Sequence, residues 1–225
     1  MREPFVQEEL RRREEAARCS EGHSADAILA MVLRILESEG ALGTLLDVGC
    51  GRGDLFVRLP ASIGSYTGVD LIRYEGFPVD ARARFVGADL NQRLPLGDGV
   101  ADVVVSIETI EHLENPRALF RELVRVARPG GLLVVTTPNQ LSLLSKLCFL
   151  LKDRHAHFQA VHYPAHITAL LPSDLVDIGA ELKLEGGRVV YSDDGRMPGT
   201  AQHWPRPLRG RLFSDNVAYV ARKPV

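Results

Sequence analysis

The chain has 225 residues, 45% of them hydrophobic and 25% charged, with a formal net charge of −2. Its length and apolar content suit one sizeable α/β core, and the near-neutral charge lacks the broad basic field of a general nucleic-acid binder. Three scattered cysteines (Cys19, Cys50, Cys148) and no C-x-x-C pair argue against a disulfide scaffold or structural zinc and point to a reducing, cytoplasmic setting. No signal peptide, internal repeat or bilayer-length apolar run is evident.

Residues 1–22 are heavily charged (Glu8, Glu9, Arg11, Arg12, Arg13, Glu14, Glu15) and read as a solvated helical arm, with folding over a ligand as the alternative. Ser24 is the expected N-cap of a core helix over Ala25 to Ser38, whose Ile28, Met31, Val32 and Ile35 share one face. His23 reads as a surface cap, with approach to a ligand as the alternative. Leu45 to Val48 form a short apolar run bounded by glycines, a buried parallel strand. Gly49-Cys-Gly-Arg-Gly53 then make a turn, and Asp54 to Leu59 are expected to open a helix. A strand followed by a glycine turn brings backbone close to a nucleotide-like ligand. The spacing is G-x-G-x-G rather than the dinucleotide pattern G-x-G-x-x-G, and Asp47 beside the turn repels a phosphate while suiting an ammonium. The next strand, Ser65 to Val69, ends in Asp70, 21 positions after Gly49, where a carboxylate can accept both ribose hydroxyls.

Together Asp47, the three glycines and Asp70 resemble motifs I and II of the class I S-adenosylmethionine-dependent methyltransferases. A third strand is expected over Arg84 to Leu90, ending at Asp89. The alternative for Asp89 is a turn-forming residue before Asn91. After a loop over 91–99, Ala101-Asp-Val-Val-Val-Ser-Ile-Glu-Thr-Ile-Glu-His-Leu113 resembles the family's motif IV. Asn115-Pro116 opens a helix with Leu119, Leu123 and Val126 facing the sheet, Pro129-Gly-Gly131 is expected to stop it, and Leu132 to Thr136 form the fifth strand. The resemblance runs from residue 42 to 139 and extends to small-molecule members, including ubiquinone-pathway O-methyltransferases.

The resemblance implies a Rossmann-like, doubly wound sheet of seven mostly parallel strands with helices on both faces and an antiparallel last strand. It implies one domain over 1–225: N-terminal helices at 1–40, a cofactor core at 41–139, a lid or substrate insertion at 140–171, and the rest of the sheet at 172–225. Asp47, Gly49 and Gly51 would hold the methionine end of S-adenosylmethionine, Asp70 the ribose, and Asp89 with Leu90 the adenine. Ile107 would floor the pocket with Glu108, and Cys50, Gly53 and Leu71 join the cofactor set.

Glu108, Glu111 and His112 follow the fourth strand and at their spacing can share one face of a helical turn. They read as an acid/base group, with His112 taking a proton from an acceptor hydroxyl and a glutamate orienting it. Two alternatives stand beside this: a purely structural turn, and a Mg²⁺ or Mn²⁺ site of Glu108, Glu111, His112 and the later His166, as in small-RNA 2′-O-methyltransferases. The absence of an Asn-Pro-Pro-Tyr-type sequence argues against methylation of DNA or glutamine amino groups.

The run Gln140 to Leu151 is expected to be an apolar helix buried against the domain, with a cover over a pocket and contact with a membrane surface or a lipid-linked substrate as the alternatives. His155 and His157 read as a surface pair, and His162 as a weak site candidate. Pro172 to Gly179 reads as a short helix, Leu182 to Tyr191 as the sixth strand, and Asn216 to Lys223 as the last. The implied activity is methyl transfer to a small molecule, at oxygen. A metal-dependent RNA enzyme, a silent S-adenosylmethionine-binding module and a nicotinamide dehydrogenase are the alternatives, the last disfavoured by Asp47.

Overall fold

The computed structural model describes residues 3–19 and 21–225. Met1, Arg2 and Ser20 of the expected N-terminal arm lie outside the described residues. The arm is helical, α1 (Glu3–Cys19), followed by α2 (Asp26–Ser38). Ser24 does not cap α2: the N-cap is Ala25, in extended backbone without a side-chain bond, and Asp26 supplies negative charge in the first turn. The expected apolar face is correct, with Ile28, Met31, Val32 and Ile35 all buried.

Seven strands follow: β1 (Gly43–Val48), β2 (Ile63–Asp70), β3 (Ala83–Gly87), β4 (Ala101–Ser106), β5 (Ala127–Pro138), β6 (Glu185–Tyr191) and β7 (Asn216–Arg222). They form one sheet in the order β3-β2-β1-β4-β5-β7-β6. All neighbouring pairs up to β5 are parallel, and β7 inserts antiparallel to both β5 and β6. The central strands are apolar on both faces because both faces are covered. Leu46, Val48, Val104 and Leu133 enter one core with α3 (Pro116–Val126), while Leu45, Val103, Val105 and Leu132 enter the other with α2. In α3, Leu119, Phe120, Leu123 and Val126 are buried, each contributing about 1.5–3 kcal/mol of transfer free energy. The Asn115 side chain caps α3 by accepting from the Ala118 N–H at 2.9 Å, and Pro116 occupies the first turn, where no N–H partner is needed.

Several expected boundaries move. No α-helix follows the glycine turn; Phe56–Arg58 makes only one 3₁₀ turn. Pro60 is the reason, because it holds Leu59 in extended backbone and ends any helical run at once. The third strand stops at Gly87, so Asp89 lies in the loop beyond it. α3 ends at Val126 and the chain enters β5 directly, with Pro129, Gly130 and Gly131 inside an irregular start of the strand rather than in a stop signal.

The greatest departure concerns α4 (Leu143–Lys152). Ser145 is its only buried residue, so the expected burial of this apolar helix is overturned. Ser142 caps it, accepting from Ser145 N–H at 3.1 Å, and Asp153 ends it in left-handed backbone. α5 (Pro172–Glu181) packs its Leu175 and Ile178 into the α3 side of the core. Among the described residues no helix is long and apolar enough to cross a membrane.

A candidate active site at the carboxyl edge of the sheet

A cleft of about 780 Å³ opens where β1, β2 and β4 end, a volume within the range of small-molecule sites. The strand order reverses between β1 and β4, and open α/β sheets bind ligands at such a switch point. The glycine turn forms one wall of it. Gly49 has φ +82° and Gly51 φ +51°, backbone that favours glycine. A Cβ on Gly49 would overlap the Thr109 side chain, and one on Gly51 would overlap the Gly22 carbonyl. Thr109 and Gly22, which also line the cleft, therefore leave no room for a side chain at either position.

Carboxylates crowd this wall. Asp70 accepts from the Gly51 N–H at 2.8 Å and the Leu71 N–H at 2.7 Å. Burial nevertheless raises its pKa. Asp47 is almost wholly buried, accepts from the Tyr66 hydroxyl at 2.7 Å through Oδ2, and leaves Oδ1 buried without a partner. Burial, helped by the charges of Asp70 and Asp54, pushes Asp47 up to about 7. Asp54, paired with His23 at 2.7 Å, also lines the cleft. Three acids around one turn favour a cationic ligand and disfavour a pyrophosphate. The missing α-helix removes the N-terminal dipole that a pyrophosphate would use.

Cys50, Leu71, Leu90 and Ile107 line the cleft, as does Asp89. Gly53 does not; it sits against Pro78. Asp89 makes the turn that was its alternative reading, accepting from the Asn91 N–H at 3.0 Å, while Oδ2 accepts from Arg13 at 2.7 Å. Arg12, Arg13 and Ala17 thus bring α1 over the cleft. No local signal in a charged amphiphile of this kind announces such a destination.

The motif after β4 is split by its backbone. Glu108 has φ +47°, and the following Ile110–His112 segment is a 3₁₀ turn, so Glu108, Glu111 and His112 do not share one helical face. The Glu108 carboxylate turns toward β5 and β7, accepting from the Thr136 hydroxyl at 2.9 Å and the Asn216 amide at 2.7 Å. Glu111 is fully buried behind the cleft wall, where its carboxylate accepts from the Thr137 hydroxyl at 3.3 Å. Burial raises the pKa of both glutamates, Glu111 to about 8, and Glu111 adds its charge to the rise at Glu108. The Glu111 carbonyl accepts the N–H groups of Ile167 and Thr168, anchoring the loop that carries His166.

His112 reaches the cleft, with Nδ1 2.8 Å from the Ala165 carbonyl. A carbonyl only accepts, so Nδ1 carries the proton and Nε2 is left as a base. Burial lowers its pKa, against the opposing pull of nearby carbonyls and Asp70. His166 stands edge-on to His112 with ring centroids 4.8 Å apart, and burial lowers it to about 4. Donor atoms of Glu111, His112 and His166 lie within 4.8 Å of one another, the one group among the described residues that could hold a metal; Glu108 is not part of it. His157 and His162 extend this histidine row, and His162 lines the cleft. His155 is instead stacked on Phe149 of α4.

Residues 46–135 match a family model described as a methyltransferase domain. The chain is 34% identical over 105 residues to a probable S-adenosylmethionine-dependent methyltransferase of Mycolicibacterium smegmatis, covering 44% of this chain and 39% of that protein. In sequence the chain resembles the S-adenosylmethionine-dependent methyltransferases over this segment. It is also 31% identical over 101 residues to a ubiquinone biosynthesis O-methyltransferase of Rickettsia conorii, covering 43% of this chain and 35% of that one. The chain spans less than half the length of the curated relatives it matches. The fold agrees with the crystal structure of an S-adenosylmethionine-dependent methyltransferase from Archaeoglobus fulgidus, at 21% identity and a TM-score of 0.60 over 87% of this chain and 94% of that one. The methyl donor of the family carries an ammonium and a sulfonium. The orphan oxygen of Asp47 and the acidic glycine turn fit these two cationic groups, whose charge the donor's own carboxylate partly offsets.

Proposed function

We propose that the chain transfers a methyl group from S-adenosylmethionine to an oxygen nucleophile on a small-molecule acceptor. The observation that carries this reading is that one cleft holds both an acidic glycine turn and the imidazole of His112, whose Nδ1 is held by the Ala165 carbonyl. S-adenosylmethionine supplies an electrophilic methyl group on a sulfonium. Asp47 would take its ammonium, with Gly49 and Gly51 letting the backbone close on the methionine end. Asp70 would accept the ribose hydroxyls, and Asp89, Leu90 and Leu71 would border the adenosine. His112 Nε2 would receive the acceptor's hydroxyl proton as the oxygen–methyl bond forms and the sulfonium becomes a thioether. Glu108 would hold its backbone turn open through Thr136 and Asn216, and Glu111 would position the His166 loop. Residues 1–225 would act as one unit, since α1 and the 161–167 loop border the same cleft. A reducing, cytoplasmic setting suits the free thiols of Cys50 and Cys148.

The test is calorimetric titration with S-adenosylhomocysteine, with NAD⁺ as control, followed by a screen of hydroxylated acceptors. Saturable binding of the thioether alone and turnover with an O–H acceptor are expected. Binding of NAD⁺ alone would overturn the reading, and binding without any turnover would leave a silent module.

A second reading rests on Glu111, His112 and His166, whose donor set suits Mg²⁺ or Mn²⁺ acidifying a ribose 2′-hydroxyl of RNA. Chelation separates the two: full activity in chelator supports His112 as base, and loss restored by Mn²⁺ supports the metal.

A further inference from the structure

We propose that α4 and the loop over residues 206–212 form a docking surface for an anionic lipid bilayer. Phe149, Leu150 and Leu151 end α4 as consecutive exposed side chains, with Leu150 at 76% and Leu151 at 77% exposure. A protein surface rarely presents three such residues in a row unless something covers them. The surface continues along the neighbouring loop. The Leu212 carbonyl accepts from the Leu143 N–H at 2.9 Å and the Arg211 carbonyl from the Asn139 amide at 2.8 Å, which fixes the loop against the start of α4. Leu208 and Leu212 are also exposed there.

Charge identifies the occupant. Residues 143–162 and 199–213 together carry six cations and one acid, Asp153, with Asp193 and Asp194 held against the second segment by Gly210 and His203, in a chain whose net charge is −2. Lys146, Lys152, Arg154, Arg206, Arg209 and Arg211 are all exposed and make no ion pair among the described residues. Aliphatic side chains rimmed by unpaired cations match the hydrocarbon boundary and headgroups of an anionic membrane surface. A second copy fits badly, because a two-fold contact would set these cations against their own images. Nucleic acid fits badly as well, since the exposed apolar residues are chiefly leucines rather than stacking aromatics.

Docking there would place the cleft close to the bilayer. Phe149 stacks on His155 at 5.0 Å, and the chain then runs to Val161 and Tyr163, which are exposed and line the cleft. An amphiphilic acceptor dissolved in the bilayer would meet the site without crossing water.

Flotation of the full chain with vesicles decides the matter, using pure phosphatidylcholine and phosphatidylcholine with about one third phosphatidylglycerol. Binding to the anionic vesicles, weakened by salt, is expected. Trp204, the only tryptophan and part of the 199–213 loop, supplies a fluorescence signal. The double substitution Leu150→Glu/Leu151→Glu should lower partitioning at least ~10-fold, and Arg206→Glu/Arg209→Glu should do the same through charge. Both variants should keep the parent melting temperature and S-adenosylhomocysteine affinity, because these exposed side chains lie outside the cleft. Three results would each overturn the proposal: no binding to anionic vesicles, undiminished binding by the two variants, or a dimer in solution that Leu150→Glu/Leu151→Glu dissolves.

Discussion

Arg13 donates to the Asp89 carboxylate at 2.7 Å, joining α1 to the loop after β3 across 76 positions of sequence. A second bond from Arg13 reaches Glu114 at 3.0 Å. Both partners of the first pair are largely shielded, so solvent screens it less than an ordinary surface pair. The clasp holds the helix over the side of the cleft that Asp89 lines. Arg13→Ala should raise the S-adenosylhomocysteine dissociation rate about fivefold, equivalent to roughly 1 kcal/mol, with little change in melting temperature. Stopped-flow displacement measures it, and an unchanged rate would mean that the arm does not restrain the ligand.

Asp47 makes stability depend on pH in a defined direction. Its folded pKa of about 7 lies above the ordinary 3.8, so the folded chain binds the proton more tightly than the unfolded one. The stability that this adds is complete below pH 3.8 and is lost as pH rises through about 7. Relative to Asp47→Asn, the ligand-free protein should therefore lose melting temperature between pH 5 and pH 8. Asp70, Glu108 and Glu111, also raised, act in the same direction, whereas His112 and His166, which burial lowers, act in the opposite one. Saturating S-adenosylhomocysteine should reduce the Asp47 contribution, because its ammonium would favour the carboxylate.

His112→Ala should lower kcat about 10²–10⁴-fold while S-adenosylhomocysteine binds as before. Retained turnover would make the residue structural. Glu111→Gln tests the neighbouring reading: it conserves size and the backbone anchor to Ile167 and Thr168 but removes a metal ligand. If His112 acts alone, chelator-insensitive activity survives this change.

Gly49→Ala should destabilise the chain by about 2–4 kcal/mol, combining left-handed backbone with overlap on Thr109. In a chain of this size that is a fall of about 5–15 °C in Tm. The double substitution Gly49→Ala/Thr109→Ala should recover part of the loss, since it removes the overlap but leaves the dihedral cost. Differential scanning calorimetry on the two variants separates these contributions.

Much of the fold was legible because its signals are local. The apolar run of β1, the glycines whose φ values the turn requires, and the Asn115-Pro116 start of α3 each act within a few residues. The same holds for Asp70, which meets Gly51 because β2 lies beside β1 with Asp47 paired to Gly68. The helix expected after Gly53 failed at another local signal, Pro60, which outweighs the apolar pattern before it.

Spacing alone determined that carboxylates would crowd a glycine turn at the end of β1, and that an acid-acid-histidine group would follow β4. Tertiary structure decided what each of them does. Glu108 turns away to Asn216, 108 positions distant, and His112 takes its tautomer from Ala165, 53 positions distant. α1 reaches Asp89, and Leu150 and Leu151 of α4 stay exposed although Phe149 beside them stacks on His155. Backbone preferences act over one turn of chain, and amino-acid order encodes them directly. Burial, hydrogen-bond partners and pKa depend on which distant segments the closed sheet brings together, and that is a property of the folded chain as a whole.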